Sequence, residues 1–210
     1  MESKHKNALI GALLAVVFVM AVGYAAFAQL LTINGTATID SSWDVHFDDP
    51  TDSIACHAGI GTTGADTCGS SAAGNTNPYG TITYDSAKTT ATLDAHLLQP
   101  SDTVTFTLKP SNYGSLNAKA AAYPVIQKGD DEEGTLTFSN DNHTATKGNI
   151  QWDIVSFSNK TSLTGANSTT VAEASQDTIV VKATFIGGQN QAVEANQSAK
   201  IKITINYQQA

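Results

Sequence analysis

The side chains with chemical reach in this chain are five His, nineteen Asp and Glu, and two Cys. Their spacing decides what they can do. In "WDVHFDD", Asp44 and His46 stand two residues apart and so share one face of an extended strand, with Asp48 next in line. That face can ligate a metal, but it reads better as the outward polar side of a strand whose inward side carries Trp43, Val45 and Phe47. The turns "GDDEEG" (Gly129–Gly134) and "NDNH" (Asn140–His143) offer carboxylates to a weak Ca²⁺. A hard cation needs about six oxygens arranged in space, and two short turns do not establish them, so solvated loops are the simpler account. Cys56 and Cys68, in "CHAGIGTTGADTC", can be joined as a disulfide or, with His57, through a metal. No C-x-x-C spacing supports the metal, and a close pair in an exported chain most simply forms a disulfide. The chain has no H-E-x-x-H, no G-x-S-x-G, no glycine-rich phosphate loop and no EF-hand pattern. It is therefore expected not to be an enzyme, with no catalytic residue, no metal site and no cofactor.

These residues are held by a chain that begins with an export signal. Lys4 and Lys6 precede an uncharged run from Ala8 to Ala28, and Ala26-Phe27-Ala28 fits the small-x-small rule for cleavage before Gln29. The run is also long enough to cross a bilayer as a helix. Residues 1–28 are thus a signal peptide or a membrane anchor, and the protein is expected outside the cell or on its surface. Residues 29–210 are long enough for one domain with a proper core.

That domain holds nine Lys, eighteen Asp and Glu, and no Arg. The balance repels phosphate backbones and lacks the side chain that grips phosphate bidentately, which argues against nucleic acid as a partner. N-x-S/T sequons begin at Asn34, Asn142, Asn159, Asn167 and Asn196. They follow from a composition rich in Asn, Thr and Ser, and mean nothing unless the source glycosylates there.

No amphipathic helix of useful length follows the signal, while period-two segments recur to the C-terminus. The fold class is all-β, a two-sheet sandwich or jelly roll of about ten short strands. Leu31, Ile33, Ala37 and Ile39 alternate with polar residues, as do Trp43, Val45 and Phe47. A Gly-, Ala-, Ser- and Thr-rich loop over 48–79 comes next, tied by the cysteines. Closing it contributes about 3 kcal/mol on the chain-entropy model. Alternation resumes in "GTITYD", "TTATLDAHL", "DTVTFTLKP", "LNAKAAAYPV", "TLTFS", "NIQWDIVSF", "TIVVKATFIG" and "AKIKITINY". Trp43, Phe106, Trp152, Phe185 and Ile203 are the expected core.

Three stretches go together: "GYAAF" (Gly23–Phe27) at the end of the apolar run, "LLQPSDTVTFTLKPSNYGSLNAKA" (Leu97–Ala120), and the closing "ANQSAKIKITINY". They resemble the camelysin/TasA family of bacterial exported surface and biofilm-fibre proteins. The first is similar to that family's junction between signal and mature chain. The second resembles its "L-x-P-G-D-x-x-x-x-x-F-x-x-x-N-x-G-S-L-x-x-K" segment through Pro100, Asp102, Phe106, Asn112, Gly114, Ser115, Leu116 and Lys119, with Ser101 where the family has Gly. The closing "ANQSAKIKITINY" looks like its terminal strand. The resemblance implies a jelly roll exported as a monomer that polymerises when the N-terminal strand of one subunit completes the sheet of the next. Camelysin itself is described as a surface metalloprotease, but no zinc-ligand motif is present here to carry that over.

The first expectation is a structural subunit of an extracellular fibre or matrix, its partner another copy of itself and its assembly strand Leu31, Ile33, Ala37 and Ile39 within Gln29–Ile39. The alternative is an adhesin-like binding module tethered to the membrane by its N-terminal helix. A surface metalloprotease comes third. The cysteine reading is directly checkable: thiol titration of the unfolded, unreduced protein is expected to find no free thiol, and two free thiols would remove the tied loop.

Overall fold

Alternation at period two makes one face of each strand apolar, and two antiparallel sheets built this way bury those faces against each other. The computed structural model describes residues 13–17, 42–47, 51–59, 67–71, 76–165, 175–187 and 197–210. The chain divides into a unit spanning Met1–Asp40 and a unit spanning Ser41–Ala210. In the first, residues 13–17 are helical. Among the described residues no helix is long and apolar enough to cross a membrane. The assembly-strand residues Leu31, Ile33, Ala37 and Ile39, and also Asp48, lie outside the described residues.

Among its described residues the second unit is built of strands, and every pairing between them is antiparallel. The larger sheet orders β2 (Ser53–His57), β5 (Thr103–Leu108), β13 (Ile179–Phe185), β11 (Ile150–Phe157), β10 (Thr144–Lys147) and β9 (Thr137–Phe138). The second orders β3 (Tyr79–Tyr84), β4 (Thr90–Leu97), β14 (Gln197–Thr204) and β8 (Val125–Lys128). Two smaller sheets flank them: β1 (Val45–Phe47), β6 (Pro110–Asn112) and β12 (Ser175–Gln176) in one, β15 (Tyr207–Gln209) and β7 (Ala118–Ala120) in the other.

The inward residues form a single apolar cluster. Leu93, Ala95 and Leu97 of β4 and Ile201 and Ile203 of β14 contribute from the smaller main sheet; Val104, Phe106 and Leu108 of β5, Val181 and Ala183 of β13, and Trp152 of β11 contribute from the larger. The Phe106 and Trp152 rings stack with centroids 5.6 Å apart. Phe106, Trp152, Phe185 and Ile203 are buried as the alternation implies. The arrangement is sandwich-like, and among the described residues β2 and β3 are edge strands on one side.

Trp43 departs from the expectation: it is 46% exposed. Trp43, Val45 and Phe47 share a face, but that face runs off the end of the core, so Phe47 is buried, Val45 half-buried and Trp43 open. The chain before β1 is held by backbone bonds, with Tyr113 N donating to Asp44 O at 2.8 Å and Ser115 N to Ser42 O at 3.0 Å. A Cβ on Gly114 would fall 2.7 Å from Asp44 N, so only glycine lets the two segments lie this close.

Residues 48–79 are not loop throughout. β2 lies inside that span and pairs along its whole length with β5. Its weak signal is compositional: "SIACH" carries only Ile54 and Cys56 as inward residues. β10 escaped notice for a similar reason, since "TATK" buries one small side chain, Ala145. β11 loses register between Ile154 and Ser156, a bulge that leaves Val155 57% exposed.

Near the C-terminus, the Tyr207 hydroxyl donates to Asp177 at 2.9 Å. Burial, and then the adjoining Asp177 carboxylate, push this phenol well above its ordinary value. The fold therefore holds the neutral phenol, and the stability it contributes is full below about pH 10 and is lost above it as the unfolded chain ionises. Tyr207→Phe is expected to cost about 1–3 kcal/mol at pH 7 in urea unfolding. The gap from wild type should narrow above about pH 10, and a constant gap would show that the phenol has no such role.

Candidate functional site

Asp44 and His46 do meet, with His46 Nδ1 2.7 Å from Asp44 Oδ1. The imidazole also stacks on Tyr113, ring centroids 4.4 Å apart. The same construction recurs at two more places. His96 Nε2 lies 3.4 Å from Asp94 and its ring stacks on Tyr79, its cross-strand partner, at 4.2 Å. His143 Nδ1 lies 3.0 Å from Asp141 and packs against Tyr123 at 4.4 Å. A D-x-H spacing at 44–46, 94–96 and 141–143 was visible in the sequence. The Tyr partners were not, because they come from other strands and turns. Each pair supplies two polar groups, and among the described residues no group of three or more His, Cys, Asp or Glu is placed to hold a metal ion.

The acidic turns are held internally. In Gly129–Gly134 the carboxylate of Glu132 is buried, pairs with the Lys147 ammonium and accepts from the Lys200 amide. Asp130 pairs with Lys202. In Asn140–His143, Asp141 accepts from the Ser139 hydroxyl at 2.5 Å and from His143 N at 3.1 Å. The Ser139 bond, followed by the His143 amide, holds this carboxyl below the usual range. Asn142 and Asn159, two of the sequon asparagines, adopt left-handed backbone with φ of 57° and 44°. Asn tolerates this conformation better than most residues, so both positions have a structural use.

The segment Leu97–Ala120 collects the buried polar side chains. Asp102 is fully buried, and its carboxylate accepts from Gly59 N at 2.6 Å, Leu98 N at 2.8 Å and Gln99 N at 3.1 Å. A Cβ on Gly59 would fall 2.9 Å from Asp102 N, so this approach requires glycine. Asn112, also fully buried, donates to Leu116 O at 2.8 Å and Leu163 O at 2.9 Å and accepts from Gly114 N at 3.1 Å. Ser115 Oγ accepts from Ser42 N at 2.9 Å. These side chains satisfy backbone groups where the chain turns between sheets, a structural role.

A groove of about 270 Å³ is lined by Trp43, Val45, Lys88, Pro110, Ile205 and Asn206 among others. Another, of about 210 Å³, is lined by Thr81, Thr92, Asp94, Asp130 and Lys200 among others. Apart from both, β2 and β3 lie next to each other as edge strands among the described residues. The Tyr84 hydroxyl, at the end of β3, donates to the Asp52 carboxylate beside β2. At the opposite end of β2, Cys56 is disulfide-bonded to Cys68. Gly69 N then donates to Pro78 O at 2.8 Å, just before β3. The disulfide thus does not simply tie a loop to itself: it joins the edge of one sheet to a segment that reaches the edge of the other. No family model matches the chain, and neither a curated protein nor a solved structure matches it.

Ser101 has φ of 70°, and Asp102 N donates to Gln99 O at 3.1 Å. With Pro100 at the preceding position this is the signature of a type II turn, whose third residue favours glycine. Ser101→Gly relieves a left-handed cost of about 1–2 kcal/mol and adds roughly 0.5–1 kcal/mol of unfolded-state entropy. A net gain of about 0.5–1 kcal/mol in chemical denaturation is expected, and a loss would mean that Ser101 contributes a contact that outweighs its backbone strain.

Proposed function

We propose that this chain is an exported structural subunit of an extracellular fibre or matrix, a jelly-roll domain that assembles when an extended segment of one copy adds to the sheet edge of another. The observation that carries this reading is the pair of neighbouring edges β2 and β3. β3, "YGTITY", bears no charged side chain and β2, "SIACH", no acidic one, in a chain of net charge −8. Uncharged edges are where strand addition meets least resistance. The buried carboxylates and amides support it from another side, because Asp102, Asn112, Asp177 and Glu132 are engaged in holding backbone and lysine groups. The disulfide is compatible with an oxidising compartment outside the cell.

In this reading the apolar run is removed before Gln29, and the freed segment Gln29–Ile39 is the donor, placing Leu31, Ile33, Ala37 and Ile39 in apolar sites of the neighbour. The resemblance to camelysin/TasA proteins supports the same mode of assembly. The groove beside the half-exposed Trp43 favours a second reading, an adhesin-like binding module that keeps its N-terminal helix in the membrane. The N-terminal residue of the mature protein separates the two.

Deleting residues 29–39 is expected to abolish polymers, seen by light scattering and electron microscopy, while the remaining domain still melts cooperatively. Unfolding of the truncated protein would place that segment in its own domain's core and sink the donor role. A mature protein that stays monomeric under all conditions would favour the binding module.

A further inference from the structure

The Cys68 Sγ, which carries no proton in the disulfide, lies 3.9 Å from the Ile54 carbonyl oxygen. That carbonyl therefore points off the outer side of β2. In a strand the N–H and C=O of one residue point the same way and successive residues alternate, so Ile54 and Cys56 turn their backbone groups outward while Ser53, Ala55 and His57 turn theirs toward β5. No backbone bond to the Ile54 or Cys56 amide is made on that outer side among the described residues. Residues 67–71 run past this edge without forming a ladder with it, held there by the disulfide at Cys68 and by the Gly69 bond to Pro78.

We infer that the outer edge of β2 is an acceptor for an extended strand from a second copy of this chain, and that the Cys56–Cys68 disulfide keeps it shut by holding residues 67–71 across it. The occupant rests on the strand-addition reading above; the lock is new to it. A second copy fits because two acidic chains repel over most of their surfaces, whereas β2 and β3 present no negative charge to each other's kind. Opening the lock takes a dithiol reductant. Its two thiols give up two electrons and two protons, the S–S bond breaks, Cys56 and Cys68 become thiols, and the reductant closes to its own disulfide.

The test compares the exported protein in its oxidised form, after dithiol reduction, and as Cys56→Ser/Cys68→Ser, by light scattering and amide hydrogen exchange. Near-UV circular dichroism reports the core around Trp152 in every sample. Opening is expected to shift the mass from that of the oxidised form to larger species and to slow exchange at Ile54 and Cys56 by about tenfold or more, as new inter-chain bonds cover them. Adding Ala55→Lys to the double-serine variant is expected to reverse the mass shift, since a lysine on an exposed edge opposes strand addition. If the opened protein keeps its core and its mass and both amides stay fast, the inference fails. Protection of those amides in an oxidised assembly would also overturn it, because the edge would then be available with the bridge intact. Loss of the near-UV signal on opening would overturn it too, by making the bridge a support of the core. An oxidised protein that assembles while both amides stay fast, and that gains nothing on opening, would remove the lock and leave the fibre reading standing.

Discussion

A buried backbone amide without a partner costs about as much as a lost hydrogen bond, and a sandwich creates such amides wherever its chain leaves one sheet for the next. This protein meets that constraint with a few fully buried side chains. Asp102 serves the turn between β4 and β5 and reaches across to Gly59. Asn112 ties the turn after β6 to Leu163. Asp177 collects Ser158 Oγ at 2.6 Å, Lys160 N at 2.9 Å and the Tyr207 hydroxyl. A carboxylate in such a place costs several kcal/mol to desolvate, so it persists only where several donors converge. The apolar faces give the sheets a reason to stack, and these polar anchors select one way of connecting them.

That division explains what could be read in advance. Phe106, Trp152, Phe185 and Ile203 were legible because each belongs to an alternating run long enough to establish its face. Trp43 misled, because a shared face says which residues point together and not where the core beneath them stops. β2 was hidden by its short alternation inside a Gly- and Thr-rich context, and β10 by the lack of any large inward side chain. For the candidate site, the cysteine pairing and the contact of Asp44 with His46 followed from local spacing. The neighbouring edges of β2 and β3, the bridge from Cys68 through Gly69 to Pro78, and the Tyr partners of His46, His96 and His143 depend on tertiary arrangement, which spacing does not encode.

The Asp, His and Tyr groupings show how local and distant information combine. In each, the carboxylate fixes one imidazole nitrogen while the aromatic face covers the ring, so the histidine is oriented by two neighbours of different kinds. Asp94 adds a further feature: its Oδ1 is buried without a hydrogen-bond partner, while Oδ2 faces His96 and, at 3.8 Å, the Lys200 ammonium. The Lys200 amide meanwhile donates to Glu132, so β14 is held from both sides by carboxylates.

The Asp102 bond to Gly59 has a consequence for how this chain can change. Gly59 is pinned from one side by that carboxylate and Cys68 from the other by its bond to β2. Both ties end on the same edge, since Cys56 belongs to β2, Gly59 follows it and Asp102 stands at the head of its partner β5. Four residues spread over the sequence thus form one unit, and a change in any of them is felt by the other three.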